Sequence, residues 1–184
     1  MITDLKINAE RKRFYYEKGY WTEKTLGDVW ADRVASHPER TYVSDDQGSS
    51  YTYGEIDDKA ARLAAWLVEQ GVAPGDVVTF QMPTWAEFCI VYVAALKAGA
   101  VMHPLPRNFN DADLVYGMNL VGSRAFICPT KVAKVDFESQ ILSIVDQIPT
   151  LGPVALVDKA APKHSELPTV AEICARYEPI NTPP

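Results

Sequence analysis

A chain of 184 residues, 47% hydrophobic and 23% charged, has the composition of a globular protein with apolar material for one core, which argues against a disordered chain. Its net charge is −6, and Lys and Arg are scattered apart from Arg11-Lys12-Arg13. No nucleic-acid surface is therefore expected, since such a surface needs a basic face to displace phosphate counterions.

The basic run is followed by Phe14, Tyr15 and Tyr16 and reads as a solvated first helix with one apolar side rather than a membrane anchor. Residues 1–24 are set apart as an N-terminal helical extension. Thr25-Leu-Gly-Asp28 opens a helix to about Ser36, with Thr25 placed to cap the first free amides. Residues 41–44 and 49–53 read as short strands around Asp45-Asp46-Gln47-Gly48, the only antiparallel signal in the chain.

Thr52-Tyr-Gly-Glu55 carries the Thr-x-x-Glu capping pattern and starts a second helix. Ile56, Ala60, Leu63, Ala64 and Leu67 fall on one face at helical spacing, and Gly71 is placed to stop the helix in a left-handed conformation. Residues 77–80 form a β-branched and aromatic run, expected as a buried strand. Thr84-Trp-Ala-Glu87 repeats the capping pattern and opens a segment that is apolar nearly all round to Ala98, hence a helix buried between layers.

A strand at 100–104 follows, then a helix marked by Leu114, Met118 and Val121, a strand at 125–128, a helix at 137–145 and a strand at 154–157. Strands alternating with helices of this length predict an α/β fold with a mainly parallel sheet flanked by helices on both faces. Residues 25–158 form this α/β subdomain. The Pro-rich tail, 159–184, reads as a connector with one short helix at 169–176.

No GxGxxG, GxxxxGK, GxSxG or HExxH motif occurs. Cys89, Cys128 and Cys174 are dispersed, with no CxxC pair, and read as buried reduced thiols in a cytoplasmic protein. The longest apolar run, 88–96, is about half of a membrane span, so no span is expected. His37 and His164 read as solvated loop residues. His103 lies where a core strand runs out, and ligands collect at the carboxyl ends of parallel strands; it lines a site or is hydrogen-bonded in a turn. Arg107, after two prolines, holds a phosphate or makes a surface ion pair. The acid pairs Asp45-Asp46 and Asp57-Asp58 read as turn and helix-surface positions, and Trp85 as core or pocket wall.

Two stretches carry a family resemblance. Ser50-Tyr-Thr-Tyr-Gly-Glu-Ile56 with Gly75-Asp-Val-Val resembles the first conserved block of the adenylate-forming superfamily, and Leu96-Lys-Ala-Gly-Ala-Val-Met-His-Pro104 resembles the second. Phe80-Gln-Met-Pro-Thr-Trp-Ala-Glu-Phe88 is most similar to bacterial short- and medium-chain fatty acid-CoA ligases, with aryl acid-AMP ligases as the alternative. The resemblance implies the first part of the large N-terminal domain of acyl-CoA synthetases. It also implies ATP, Mg2+, CoA and a fatty or aryl acid as cofactors and partners of the full-length enzyme. No catalytic residue falls within this chain, because the phosphate loop ending in Pro-Lys is expected beyond Pro184. None of these cofactors is expected to bind the chain alone, and its exposed apolar face should promote self-association. A stand-alone, non-catalytic module of the same fold is the other reading. In some CoA ligases of this family an Arg following the second block approaches the 3′-phosphate of CoA, and Arg107 falls at about that place, so the resemblance implies that role for it.

Overall fold

The computed structural model describes residues 7–158 and 166–180. Helix α1 (Ala9–Glu17) is capped by the Asn8 side chain and buries no residue. Its apolar side packs on the residues just after it, with Tyr15 and Trp21 ring centroids 4.9 Å apart. Helix α2 (Leu26–Ser36) starts from a complete Thr25/Asp28 capping box. Strands β1 (Thr41–Ser44) and β2 (Ser50–Thr52) form the expected antiparallel hairpin.

Helix α3 (Tyr53–Glu69) begins at the Thr52/Glu55 box. All five residues of its predicted core face are fully buried. Gly71 follows at φ +84°, a conformation that costs a residue with a Cβ about 1–2 kcal/mol. Strand β3 (Val77–Gln81), helix α4 (Ala86–Lys97), strand β4 (Val101–Leu105), helix α5 (Asp111–Val121) and strand β5 (Ser123–Pro129) then alternate. A hairpin of β6 (Lys131–Val132) and β7 (Val135–Asp136) precedes helix α6 (Phe137–Ile144), a short 3-10 turn (Val145–Gln147), strand β8 (Val154–Val157) and helix α7 (Val170–Arg176).

The four central strands pair in the order β4-β3-β5-β8, every pair parallel. Side chains alternate between faces along each strand. Val78, Phe80, Ala125, Ile127, Ala155 and Val157 pack with α3, α4 and α7, while Phe126, Cys128, Val154 and Leu156 pack with α5 and α6. Both faces are thus covered by helices, as the pattern predicts. Helix α4 has no exposed residue, which explains why it carries no polar side.

Two local expectations change. Thr84 does not cap α4: the N-cap is Trp85, which makes no side-chain cap bond. Asp45 supplies the cap from the β1-β2 turn, its Oδ2 accepting from Ala86 N at 2.9 Å while Oδ1 accepts from Gln47 N and Ser49 N. The β6-β7 hairpin is a second antiparallel pair, too short at two residues per strand to leave an alternating pattern. In the segment set apart as 159–184, residues 166–180 are described. There Val170 and Ile173 are buried, Arg62 Nη1 donates to Tyr177 O at 2.7 Å, and Ile180 N donates to Ala61 O. His164 lies outside the described residues.

Strand β4 is an edge, and Pro104 sits inside it. Val101 N donates toward β3, to Asp76 O, so the N–H groups of His103 and Leu105 face β3 and the position of Pro104 faces outward. The missing donor costs nothing there, and it blunts the free edge.

Asp45 joins the hairpin to α4 through one carboxylate at a helix N-terminus, where negative charge is favoured. Asp45→Ala should lower stability by about 1–2 kcal/mol in urea melts, and Asp45→Asn, which keeps an acceptor, by less. Equal losses would show that the cap of α4 does not depend on an acceptor at this position.

Candidate functional site

The carboxyl ends of parallel strands gather on one edge of the sheet, and three of them build a cleft here. After β3 comes Met82-Pro83-Thr84-Trp85, after β4 the turn at 106–109, and after β5 the β6-β7 hairpin. A cavity of about 730 Å3 is lined by these segments, including Arg107, Lys131, Val132 and Ala133, with Asp46 and Gln47 on the far rim. That volume lies within the range of small-molecule clefts.

Arg107 and Lys131 are both exposed, and among the described residues neither makes an ion pair. A guanidinium and an ammonium facing one cleft offer planar and point-like donors to phosphate oxygens. Sequence reasoning singled out Arg107 and missed Lys131, because the hairpin that brings it to the cleft left no sequence signal. Ala133, at the tip of that hairpin, is the one described non-glycine residue at positive φ, +53°. Trp85 is half-buried and serves both as cleft wall and as packing against the core. A depression of about 820 Å3 along the outer side of α5 is larger, but Ala112, Val115, Tyr116 and Leu120 make it apolar and it holds no cation.

His103 is not among the residues lining the cleft. It stands within β4, its Nδ1 3.0 Å from Thr79 Oγ1 on the neighbouring strand. Thr79 Oγ1 also meets Ser123 Oγ in a short buried contact, and Ser123 O accepts from Thr150 Oγ1. His103 therefore ends a chain of hydroxyls across β4, β3 and β5, and burial lowers its pKa. His37 is exposed beside Ser36, with its Nδ1 2.9 Å from Ser36 Oγ.

The paired acids have structural work. Asp57 Oδ1 accepts from Trp30 Nε1 at 2.7 Å and meets Lys97 Nζ at 2.8 Å, joining α2, α3 and α4. Asp58 pairs with Arg62. Cys128 is buried and Cys89 and Cys174 are half-buried; burial pushes all three thiols up. Among the described residues no His, Cys, Asp and Glu are grouped to hold a metal ion, and no helix is long and apolar enough to cross a membrane.

The family model described as AMP-binding enzyme matches residues 30–182. The medium-chain fatty-acid–CoA ligase of Escherichia coli is 35% identical over 99% of this chain and 32% of its own length. The salicyl-AMP ligase / salicyl-S-ArCP synthetase of Mycobacterium tuberculosis is 28% identical over 91% of this chain and 30% of its own. Among solved structures, apo MbtA of Mycobacterium smegmatis superposes with a TM-score of 0.77 and 27% identity, covering 95% of this chain and 31% of that one. The chain thus spans about a third of the length of these relatives.

A histidine whose pKa is lowered on folding takes up its proton more readily in the unfolded chain, so stability falls as pH drops from about 6.5 through the folded value. Thermal melts between pH 7 and 5 should show this loss in the wild type and a smaller one in His103→Asn, which removes the titrating ring. Parallel losses in both would assign the acid sensitivity elsewhere.

Proposed function

Because the chain belongs to the AMP-binding enzyme family, we propose that it is the N-terminal part of an ATP-dependent acid–CoA ligase acting on a short- or medium-chain fatty acid. The acid's carboxylate attacks the α-phosphate of ATP, giving acyl-AMP and pyrophosphate. The CoA thiol then attacks the acyl carbon and AMP leaves. The observation that carries the fatty acid is the higher identity to the fatty-acid ligase, running through nearly the whole chain. An aryl acid is the second reading, favoured by the likeness to the salicyl-AMP ligase.

In this reading Arg107 and Lys131 supply charge to a phosphate of CoA from the carboxyl edge of the sheet. The hairpin tip and the β1-β2 turn form the walls. Among the described residues no carboxylate cluster is grouped to hold Mg2+, so in this reading the Mg2+-ATP is held by other parts of the full-length enzyme. His103 acts away from that edge, as a hydrogen-bonded member of the sheet. The protein is taken to work in the cytoplasm.

ATP–pyrophosphate exchange on the full product of the gene, with butyrate, octanoate and 2,3-dihydroxybenzoate, tests the reading. Exchange with the aliphatic acids, and none from residues 1–184 alone, is expected. Exchange with the aromatic acid alone would establish the second reading, and none with any acid would point to a non-catalytic module.

The same reading predicts self-association of the 184-residue chain. Tyr116 and Leu120 on the outer side of α5 are 70% and 69% exposed, an apolar stripe that favours contact between copies. Sizing with light scattering should show dimers or larger species that Leu120→Lys reduces; a stable monomer at high concentration would refute this.

A further inference from the structure

Gln81 is fully buried at the end of β3, the central strand flanked by β4 and β5. An apolar residue would pack there without the cost of burying an amide. Half of that cost is not recovered: Oε1 is buried and has no hydrogen-bond partner among the described residues. The other half has a definite use. Nε2 donates to Pro106 O at 2.9 Å, and the same carbonyl accepts from Phe109 N at 3.2 Å. Those two donors close the turn of residues 106–109, which carries Arg107 as its second residue.

The strand register sets up the contact. Gln81 lies opposite Leu105, so its side chain is level with the point where β4 ends and the turn begins. The far side of the turn is held separately, by Gln140 Nε2 to Asp111 Oδ1 at 2.8 Å and, more weakly, to Phe109 O. Without Gln81, nothing described on the β3 side bonds to the carbonyl preceding Arg107.

We infer that Gln81 is a positioning residue, holding the 106–109 turn so that Arg107 presents its guanidinium to the cleft it shares with Lys131. The inference rests on the proposed role of Arg107 toward a CoA phosphate. Gln81 itself touches no substrate; it limits the directions in which Arg107 starts out, and so the entropy lost when the guanidinium engages an anion.

The test has a ligand-free arm and a kinetic arm. In the 184-residue chain, Gln81→Met keeps the side-chain volume and removes both amide groups, so the fold should persist. Hydrogen exchange at the Phe109 amide should then quicken about three- to tenfold, the scale of one lost hydrogen bond. In the full gene product, the same change should raise the KM for CoA about three- to tenfold and alter kcat less. Unchanged exchange at Phe109 would overturn the inference. So would a loosened turn with an unaltered KM in an enzyme whose Arg107→Ala variant raises it. An Arg107→Ala variant with unaltered KM removes the role of Arg107 itself, a result that needs no change at Gln81 and so is read independently. If Gln81→Met fails to fold, Gln81→Asn, whose amide is one carbon short of Pro106 O, is read by the same two measurements.

Discussion

A parallel sheet has to be covered on both faces, because each of its strands returns through a crossover that lies against one face. Most of this molecule follows from that requirement. Helices α3, α4 and α7 cover one face and α5 and α6 the other. The apolar material of the chain is divided between two clusters, with the sheet as their common wall. Helix α4 lies deepest, touching the sheet, α3 and the β1-β2 hairpin, and its sequence carries no polar side. The same crossovers bring the carboxyl ends of β3, β4 and β5 to one edge, and the loops that follow them form a cleft with the β1-β2 turn.

Polar groups in this structure are placed where the sheet and its cover leave something to be joined. Asp57 links α2 and α4 to α3 through an indole N–H and an ammonium. Asp45 shapes a hairpin turn and caps the neighbouring helix with the two oxygens of one carboxylate. The hydroxyls of Thr79 and Ser123 connect three strands to His103. Each of these contacts satisfies a group that burial would otherwise penalise. Each also joins elements that apolar packing alone would leave free to slide.

Charge is handled differently at the cleft. Arg107 and Lys131 stand exposed on the turn after β4 and on the β6-β7 hairpin, and among the described residues neither makes an ion pair. The strained tip at Ala133 lies beside Lys131, and backbone strain of this sort persists where surrounding structure holds it. Loops on the carboxyl edge of a rigid sheet combine fixed ends with adaptable side chains, the usual setting of a binding site.

Elements whose stabilising contacts are local were legible in the amino-acid sequence. The capping boxes at Thr25 and Thr52, the core face of α3 and the β-branched run of β3 each depend on residues within a few positions of one another. The alternation of strands and helices identified the parallel sheet, and two conserved-looking blocks identified the superfamily. The sequence by itself therefore determined the fold class and the alternation of the sheet's strands with their covering helices. Contacts between distant residues decided the rest. Thr84 has the right spacing for a cap, yet Asp45, 41 positions from Ala86, takes the role because the hairpin docks on α4. His103 and Arg107 are four residues apart, yet one faces the hydroxyls of the sheet and the other the cleft, since one lies within a paired strand and the other beyond its end. Lys131 joins Arg107, and Gln81 reaches Pro106, only after strands far apart in the chain align in register. Helical and strand periodicities record which side of an element is buried; they do not record what it is buried against, and that is settled only when the layers meet.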